Sequence, residues 1–330
     1  MGVMRLGYVH VRVTDMDEAL NHYSNTMGMK VVAENEPVGA STKISIEETE
    51  APGERPHVAV EPPRSAHLKC WDEWDHHSLV LEETGVGLVK LGYKCASAED
   101  LDAFENRARA FGVTTTRMSK GENLAVGDGV RITLPSDHTI ELYNEIEYTG
   151  TETGTLNPDP WPRDRRGAGA PWIDHALVTA EDPALTERFM MEVLDFKPSE
   201  RAITDIENPE VIGTWLFCGD SPHDLAIVKG QNGKLHHFAF FMTDWNDILR
   251  AGDIFAMDDV PIDVGPTRHG ITRGMTIYFF DPSGNRNEVF AGGYRTGPDF
   301  PTINWTADQL AKGIFYISRE MNERFLNVVT

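Results

Sequence analysis

Apolar and polar side chains alternate through Leu6-Gly-Tyr-Val-His10-Val-Arg-Val-Thr-Asp15, the two-residue period of a half-buried strand. A helical period follows over Met16 to Met27. The same succession returns at Pro171-Trp-Ile-Asp-His175-Ala-Leu-Val-Thr-Ala180, a strand pattern with a central histidine that leads into a helix over Pro183 to Leu194. Each half later carries a second helical stretch opened by polar residues, Ser97-Ala-Glu-Asp-Leu and Thr243-Asp-Trp-Asn-Asp-Ile. Their side-chain oxygens can accept from the unpaired N–H groups of a first turn. Each half then reaches a turn and a strand, and Leu134-Pro-Ser-Asp-His-Thr-Ile-Glu141 keeps its proline and glutamate in register with Asp281-Pro-Ser-Gly-Asn-Arg-Asn-Glu288. A repeat of this length predicts an α+β protein of two similar domains, each reading as βαβββ twice over.

The segment 149–170, TGTETGTLNPDPWPRDRRGAGA, has no apolar period and several strand and helix breakers, so it is the expected linker. The expected division is an N-terminal domain over 1–148, the linker, a C-terminal domain over 171–293, and a tail over 294–330 with a last helix from about Ala307 to Phe325.

Composition narrows the function. The chain has 330 residues, 40% hydrophobic and 25% charged, as in globular proteins. Thirty basic against 52 acidic side chains give a net charge of −22, which argues against nucleic acid or an anionic membrane surface as partner. No apolar run approaches membrane-span length, and the N-terminus lacks a signal-peptide core. Cys70, Cys95 and Cys218 are scattered and odd in number, which suits a reducing, cytoplasmic compartment and no disulfide framework.

Candidate chemistry concentrates in Gly265 to Phe290. This stretch carries His269, Tyr278 in a β-rich run, the turn Asp281-Pro-Ser-Gly284, and Glu288. Isolated histidines stand on other strand-like segments at His175 and His237. Two histidines and one carboxylate leave three positions open on an octahedral ion, the arrangement of non-haem Fe(II) oxygenases. No HExxH helix is present to suggest a zinc hydrolase. Taken singly, His175 reads as a core histidine, Tyr278 as a strand aromatic and His269 as a turn residue. Adjacent His236 and His237 cannot both point inward from one strand; if His237 does, His236 is expected behind it, supporting it or packing. The segment Trp71-Asp-Glu-Trp-Asp-His-His77 is rich in ligand types, yet its residues are sequence neighbours and read as an edge or loop.

Five ordered motifs change those odds: Asp174-His175, Ser221-Pro-His223-Asp224, Lys234-Leu-His236-His237-Phe-Ala-Phe, Gly265-Pro-Thr-Arg-His269-Gly, and Tyr278-Phe-Phe-Asp-Pro-Ser-Gly-Asn-Arg-Asn-Glu288. Together they resemble the extradiol ring-cleaving dioxygenases of the vicinal oxygen chelate superfamily, and more narrowly the catechol 2,3-dioxygenases, over nearly the whole chain. The resemblance implies sheets curved around a cavity, with Fe(II) held by His175, His237 and Glu288 in the C-terminal domain. It makes His223 the proton-transfer group, and His269 with Tyr278 the pair that hydrogen-bonds the substrate oxygens. It implies a catechol and O2 as substrates, ring opening beside the two hydroxyls, and a homotetramer. The first half retains His10 and Glu141 as counterparts of His175 and Glu288, with Lys90 or Leu91 in place of the second histidine, so it is expected to bind no metal. A Mn(II) ring cleaver, a non-catalytic binding module and an isomerase or lyase of the same superfamily are the alternatives. Retention of His223, His269 and Tyr278 argues against the binding module, which needs no proton-transfer group.

Overall fold

The computed structural model describes residues 2–35 and 62–330. The N-terminal half runs β1 (Val3–Val13), α1 (Met16–Asn21), β2 (Lys30–Asn35), β3 (Ser65–Lys69) and β4 (Leu79–Glu83). It then repeats the order with β5 (Gly87–Cys95), α2 (Ala98–Phe111), β6 (Thr115–Met118), β7 (Gly129–Thr133) and β8 (Thr139–Tyr143). The C-terminal half begins with β9 (Ile173–Ala180), α3 (Pro183–Leu194), β10 (Lys197–Ile203), β11 (Val211–Phe217) and β12 (Leu225–Lys229). Its second module is β13 (Lys234–Met242), α4 (Trp245–Met257), β14 (Ile262–Arg268), β15 (Gly274–Phe280) and β16 (Arg286–Gly292). The βαβββ order therefore occurs four times, as the repeats predict. Two mixed sheets result, ordered β2-β3-β4-β1-β5-β8-β7-β6 and β14-β15-β16-β13-β9-β12-β11-β10-β17, where β17 is Ile303–Thr306. In each sheet the leading strands of the two modules lie side by side at the centre. Among the described residues no helix is long and apolar enough to cross a membrane.

Local chemistry explains the helix limits. Pro183 opens α3, where its missing N–H has no partner to lose, and the Asp182 side chain accepts from the Leu185 N–H at 2.9 Å. α1 is shorter than its pattern predicts: after Asn21 the chain widens into a π-turn over His22–Thr26. The tail also departs from expectation. It contributes β17 to the sheet, then two short helices, α5 (Leu310–Ile314) and α6 (Glu323–Asn327), in place of one long helix. Trp305 donates its indole N–H to Glu200, and Phe315 and Phe325 are buried, so the tail packs as part of the sheet's wall.

The halves share one core. Phe111 meets Phe189 edge-on at 5.2 Å and Tyr93 meets Phe196 at 5.6 Å. The turn that precedes β16 is tied to the N-terminal half by hydrogen bonds to or from four residues of that half. Tyr23 donates to Asp281 (2.9 Å), the Thr14 N–H to Ser283 (2.9 Å), the Gly87 N–H to Asn285 (2.9 Å), and Asn285 to the Arg12 carbonyl (3.0 Å). In the 71–77 loop, Asp75 is buried between Arg5 and Lys94, so these acidic and basic groups serve one another.

Strand register gives the correspondence between the halves. Val9 stands beside Leu79 and opposite Leu91; Ala176 stands beside Leu225 and opposite Phe238. Carried along the ladders, this matches Tyr8 with His175, Lys90 with His237, Arg131 with Tyr278 and Glu141 with Glu288. His10 is thus not the counterpart of His175; it lies two residues further along β1 and matches Leu177. Residue type alone aligns the histidines, whereas backbone pairing decides which side chain shares the site. Lys90, not Leu91, takes the second histidine's place.

These four residues, joined by Asn123, form one hydrogen-bonded network. Fully buried Glu141 accepts from Lys90 at 3.0 Å, from Arg131 at 2.6 and 2.8 Å, and from the Tyr8 hydroxyl. Removing the carboxylate leaves buried donors without an acceptor, so Glu141→Leu should lower stability by about 3 kcal/mol in urea unfolding. Its metal content, measured by elemental analysis, should equal that of the unaltered chain.

Candidate metal centre

Glu288, His175 and His237 come from the three adjacent central strands β16, β9 and β13. Nε2 of His175 lies 3.0 Å, and Nε2 of His237 3.1 Å, from the same Glu288 oxygen, Oε2. The other oxygen, Oε1, accepts from the Thr276 hydroxyl at 2.5 Å. One oxygen and two nitrogens therefore face a common point, and they form the one ligand group of this kind among the described residues.

Both histidines sit beside irregularities in one ladder. Leu235 and His237 pair with the consecutive residues Val178 and Leu177, so His236 is extra on β13. Phe238 and Phe240 pair with Ala176 and Ile173, so β9 carries an extra residue at 174–175. A β-bulge turns a neighbouring side chain off strict alternation. Hence Asp174 reaches Nδ1 of His175 at 2.7 Å, and Nδ1 of His236 reaches Nδ1 of His237 at 2.7 Å. His236 does not line the pocket and meets His237 from behind, the supporting place expected of it, through a ring contact that a regular strand would not allow.

Electrostatics favour a cation. Glu288 brings a carboxylate to the pocket, Asp174 adds a second one behind the His175 ring, and no described lysine or arginine lines the pocket. Burial opposes charge on His175, yet hydrogen bonds to Asp174 and Glu288 outweigh it and push the ring up to about 9. Burial pulls His237 down to about 4 against the attraction of Glu288. Burial also opposes ionisation of Glu288, but the hydrogen bond from His175 and the charge on that ring hold it well below the usual carboxylate range. A proton on His175 thus occupies the place where a divalent ion would satisfy the same oxygens, and the imidazole–carboxylate donor set suits such an ion. The residues fit the metal.

The other sequence-predicted residues gather at the same point. The ring of His223 lies over His175, centroids 3.9 Å apart, and its Nδ1 is buried without a hydrogen-bond partner. Tyr278 stands opposite Glu288 across β15 and β16, and its hydroxyl lies 2.9 Å from Nε2 of His269. Nδ1 of His269 meets the Ile314 carbonyl; since a carbonyl can only accept, Nδ1 carries the proton and Nε2 accepts from Tyr278. Leu177, Trp215, Phe290 and Phe325 complete an apolar wall. Asp174 and Thr276 are absent from the sequence-based site, and His236 enters it only as a supporting or packing residue. The adjacency of Asp174 and His236 to the two ligands was visible, but the bulges that turn them toward those rings were not.

The chain matches the family model described as glyoxalase/bleomycin resistance protein/dioxygenase superfamily over residues 172–289, and that of the catechol 2,3-dioxygenase-like N-terminal domain over 90–147. It is 37% identical to the metapyrocatechase of Pseudomonas sp. (strain CF600), covering 100% of this chain and 99% of that protein. It is 31% identical to the manganese-dependent 2,3-dihydroxybiphenyl 1,2-dioxygenase of Geobacillus genomosp. 3, over 77% of this chain and 83% of the relative. Among solved structures, the 2,3-dioxygenase LapB of Pseudomonas sp. KL28 superposes with a TM-score of 0.82 at 36% identity, covering 94% of this chain and 99% of that one. The chain belongs to the extradiol dioxygenases of this superfamily, within the catechol 2,3-dioxygenase (metapyrocatechase) family. Its donor set and its relatives indicate a metal cofactor.

His237→Ala removes one of three candidate ligands. The purified variant should retain far less than one equivalent of metal by elemental analysis, and stoichiometric metal would refute the ligand set.

Proposed function

We propose that the chain is an Fe(II)-dependent extradiol dioxygenase. It opens a catechol or a simple substituted catechol beside its two hydroxyls, with O2 as co-substrate and a 2-hydroxymuconic semialdehyde as product. The observation that carries this reading is the convergence of two imidazoles and one carboxylate on a single point flanked by His223, His269 and Tyr278. Bound iron supplies the redox chemistry and the Lewis acidity that makes a catechol hydroxyl easier to ionise. His175, His237 and Glu288 are its proposed ligands.

The remaining roles belong to the chain. Burial, and then the neighbouring His175, keep His223 well below the ordinary histidine pKa, so it enters the reaction as a neutral base. Its unpartnered Nδ1 can take the proton of the second hydroxyl and later return it. Tyr278 stays a phenol, since burial and Glu288 raise its pKa well above the usual value. Its one hydroxyl proton, given to His269 in the free site, can be turned to a substrate oxygen. The apolar wall excludes water and favours an uncharged ring.

Manganese is the second reading, favoured by the resemblance to a manganese-dependent relative and by a donor set that suits either ion. Reconstitution of metal-free enzyme with each ion in turn, followed by O2 uptake, distinguishes them. Ferrous iron and three free cysteines suit a reducing compartment, the cytoplasm. A homotetramer belongs to the same proposal, and sedimentation analysis tests it.

Two outcomes test the chemistry. His223→Gln keeps a hydrogen-bonding side chain but no titrating group. It should retain metal and bind catechol while turnover falls by roughly two orders of magnitude; near-normal turnover would remove His223 from the mechanism. From catechol the enzyme should release a yellow semialdehyde, lose activity on oxidation to the ferric form, and regain it with ferrous iron and a reductant. Colourless cis,cis-muconate, or full activity of ferric enzyme, would overturn the assignment.

A further inference from the structure

His236 lies between a proposed metal ligand and the C-terminal segment. Its Nδ1 is 2.7 Å from Nδ1 of His237, and its Nε2 is 2.7 Å from the Phe325 carbonyl. The carbonyl can only accept, so Nε2 of His236 carries the proton and Nδ1 of a neutral ring is left as an acceptor. Nδ1 of His237 must then donate, which leaves Nε2 of His237 with its lone pair toward Glu288 and the metal position. A single chain of hydrogen bonds thus selects the metal-binding tautomer of His237.

The same carbonyl belongs to the segment that closes the pocket. Phe325 packs on Tyr278 and on His236, at 4.7 Å in each case. Leu235 and Thr330 exchange backbone hydrogen bonds of 2.8 and 2.9 Å. Arg286 donates to the carbonyls of Val328 (2.7 Å) and His236 (3.3 Å). The tail is therefore anchored on the residues just before the ligand.

The N-terminal half supplies an internal control. Its central strands carry the same two bulges, with register shifts between Leu6 and Tyr8 and between His10 and Val11. Carried along the ladder, the extra positions are Gly7 where β9 has Asp174, and Val89 where β13 has His236. The bulges persist with glycine and valine where a lysine and an arginine replace the metal. A polar group at each bulge therefore goes with metal binding and is not required by the backbone.

We infer that His236 is a positioning residue that sets the tautomer of His237 through the Phe325 carbonyl, so that metal affinity and seating of the C-terminal segment are coupled. This rests on the reading of His175, His237 and Glu288 as the metal ligands. Coupling is reciprocal: whatever factor the seated tail adds to metal affinity, bound metal adds to the seating of the tail.

The test compares full-length wild type, His236→Val (the residue of the N-terminal counterpart) and His236→Gln. Fe(II) affinity is measured anaerobically, and hydrogen exchange of the Val328 and Thr330 amides is followed with and without Fe(II). His236→Val should bind Fe(II) about 10- to 100-fold more weakly, the usual range for loss of a ligand's hydrogen-bond partner. His236→Gln, which accepts with its carbonyl and donates with its amide, should recover most of that loss. In wild type Fe(II) should slow tail exchange; in His236→Val it should not. If His236→Val binds Fe(II) as tightly as wild type, if His236→Gln is as weak as His236→Val, or if wild-type tail exchange ignores Fe(II), the inference fails while the ligand assignment stands. If His237→Ala also keeps stoichiometric iron, both fail.

Discussion

A carboxylate sealed inside a sheet must be matched by positive charge or by donors, because burial without compensation costs several kcal/mol. Both halves of this chain place a glutamate at that point, on β8 and on β16. Glu141 is matched by Lys90, Arg131 and a tyrosine hydroxyl, all supplied by the chain. Glu288 faces two histidines and a threonine, a set that leaves the carboxylate short of a fixed cation. The same backbone thus holds one site that is complete in itself and one that is complete with a metal.

The two bulges let a β-sheet hold such a site. Strict alternation gives each ligand histidine a neighbour that points to the other face, and with it no local partner for the ring's second nitrogen. One extra residue on each central strand turns Asp174 and His236 back toward His175 and His237. The ligands are then oriented by residues adjacent in sequence, so their geometry depends little on distant loops.

Much of this was legible in the sequence. The βαβββ repeats, the helix limits at Pro183 and Leu194, and the six residues that meet in the pocket follow from periodicity, capping residues and motif resemblance. What sequence reading missed was register. Similar strings pair His10 with His175, while the ladder matches Tyr8 to His175. The ring contact between His236 and His237 is invisible because bulges leave no mark in composition. The spacing of apolar residues in the tail is compatible with one helix. The burial of Phe315 and Phe325 against the sheet breaks it into short pieces.

The turn at Asp281–Asn285 has its polar groups bonded to Tyr23, Thr14, Gly87 and Arg12, all in the other half of the chain. That turn launches the strand carrying Glu288. The N-terminal copy is therefore a splint for the C-terminal one: cut away, it would leave Asp281 and Asn285 facing solvent and the glutamate's strand unbraced at its start. The two copies are thus fastened at the point where the glutamate's strand begins, and a C-terminal half taken alone would have to find new partners for that turn.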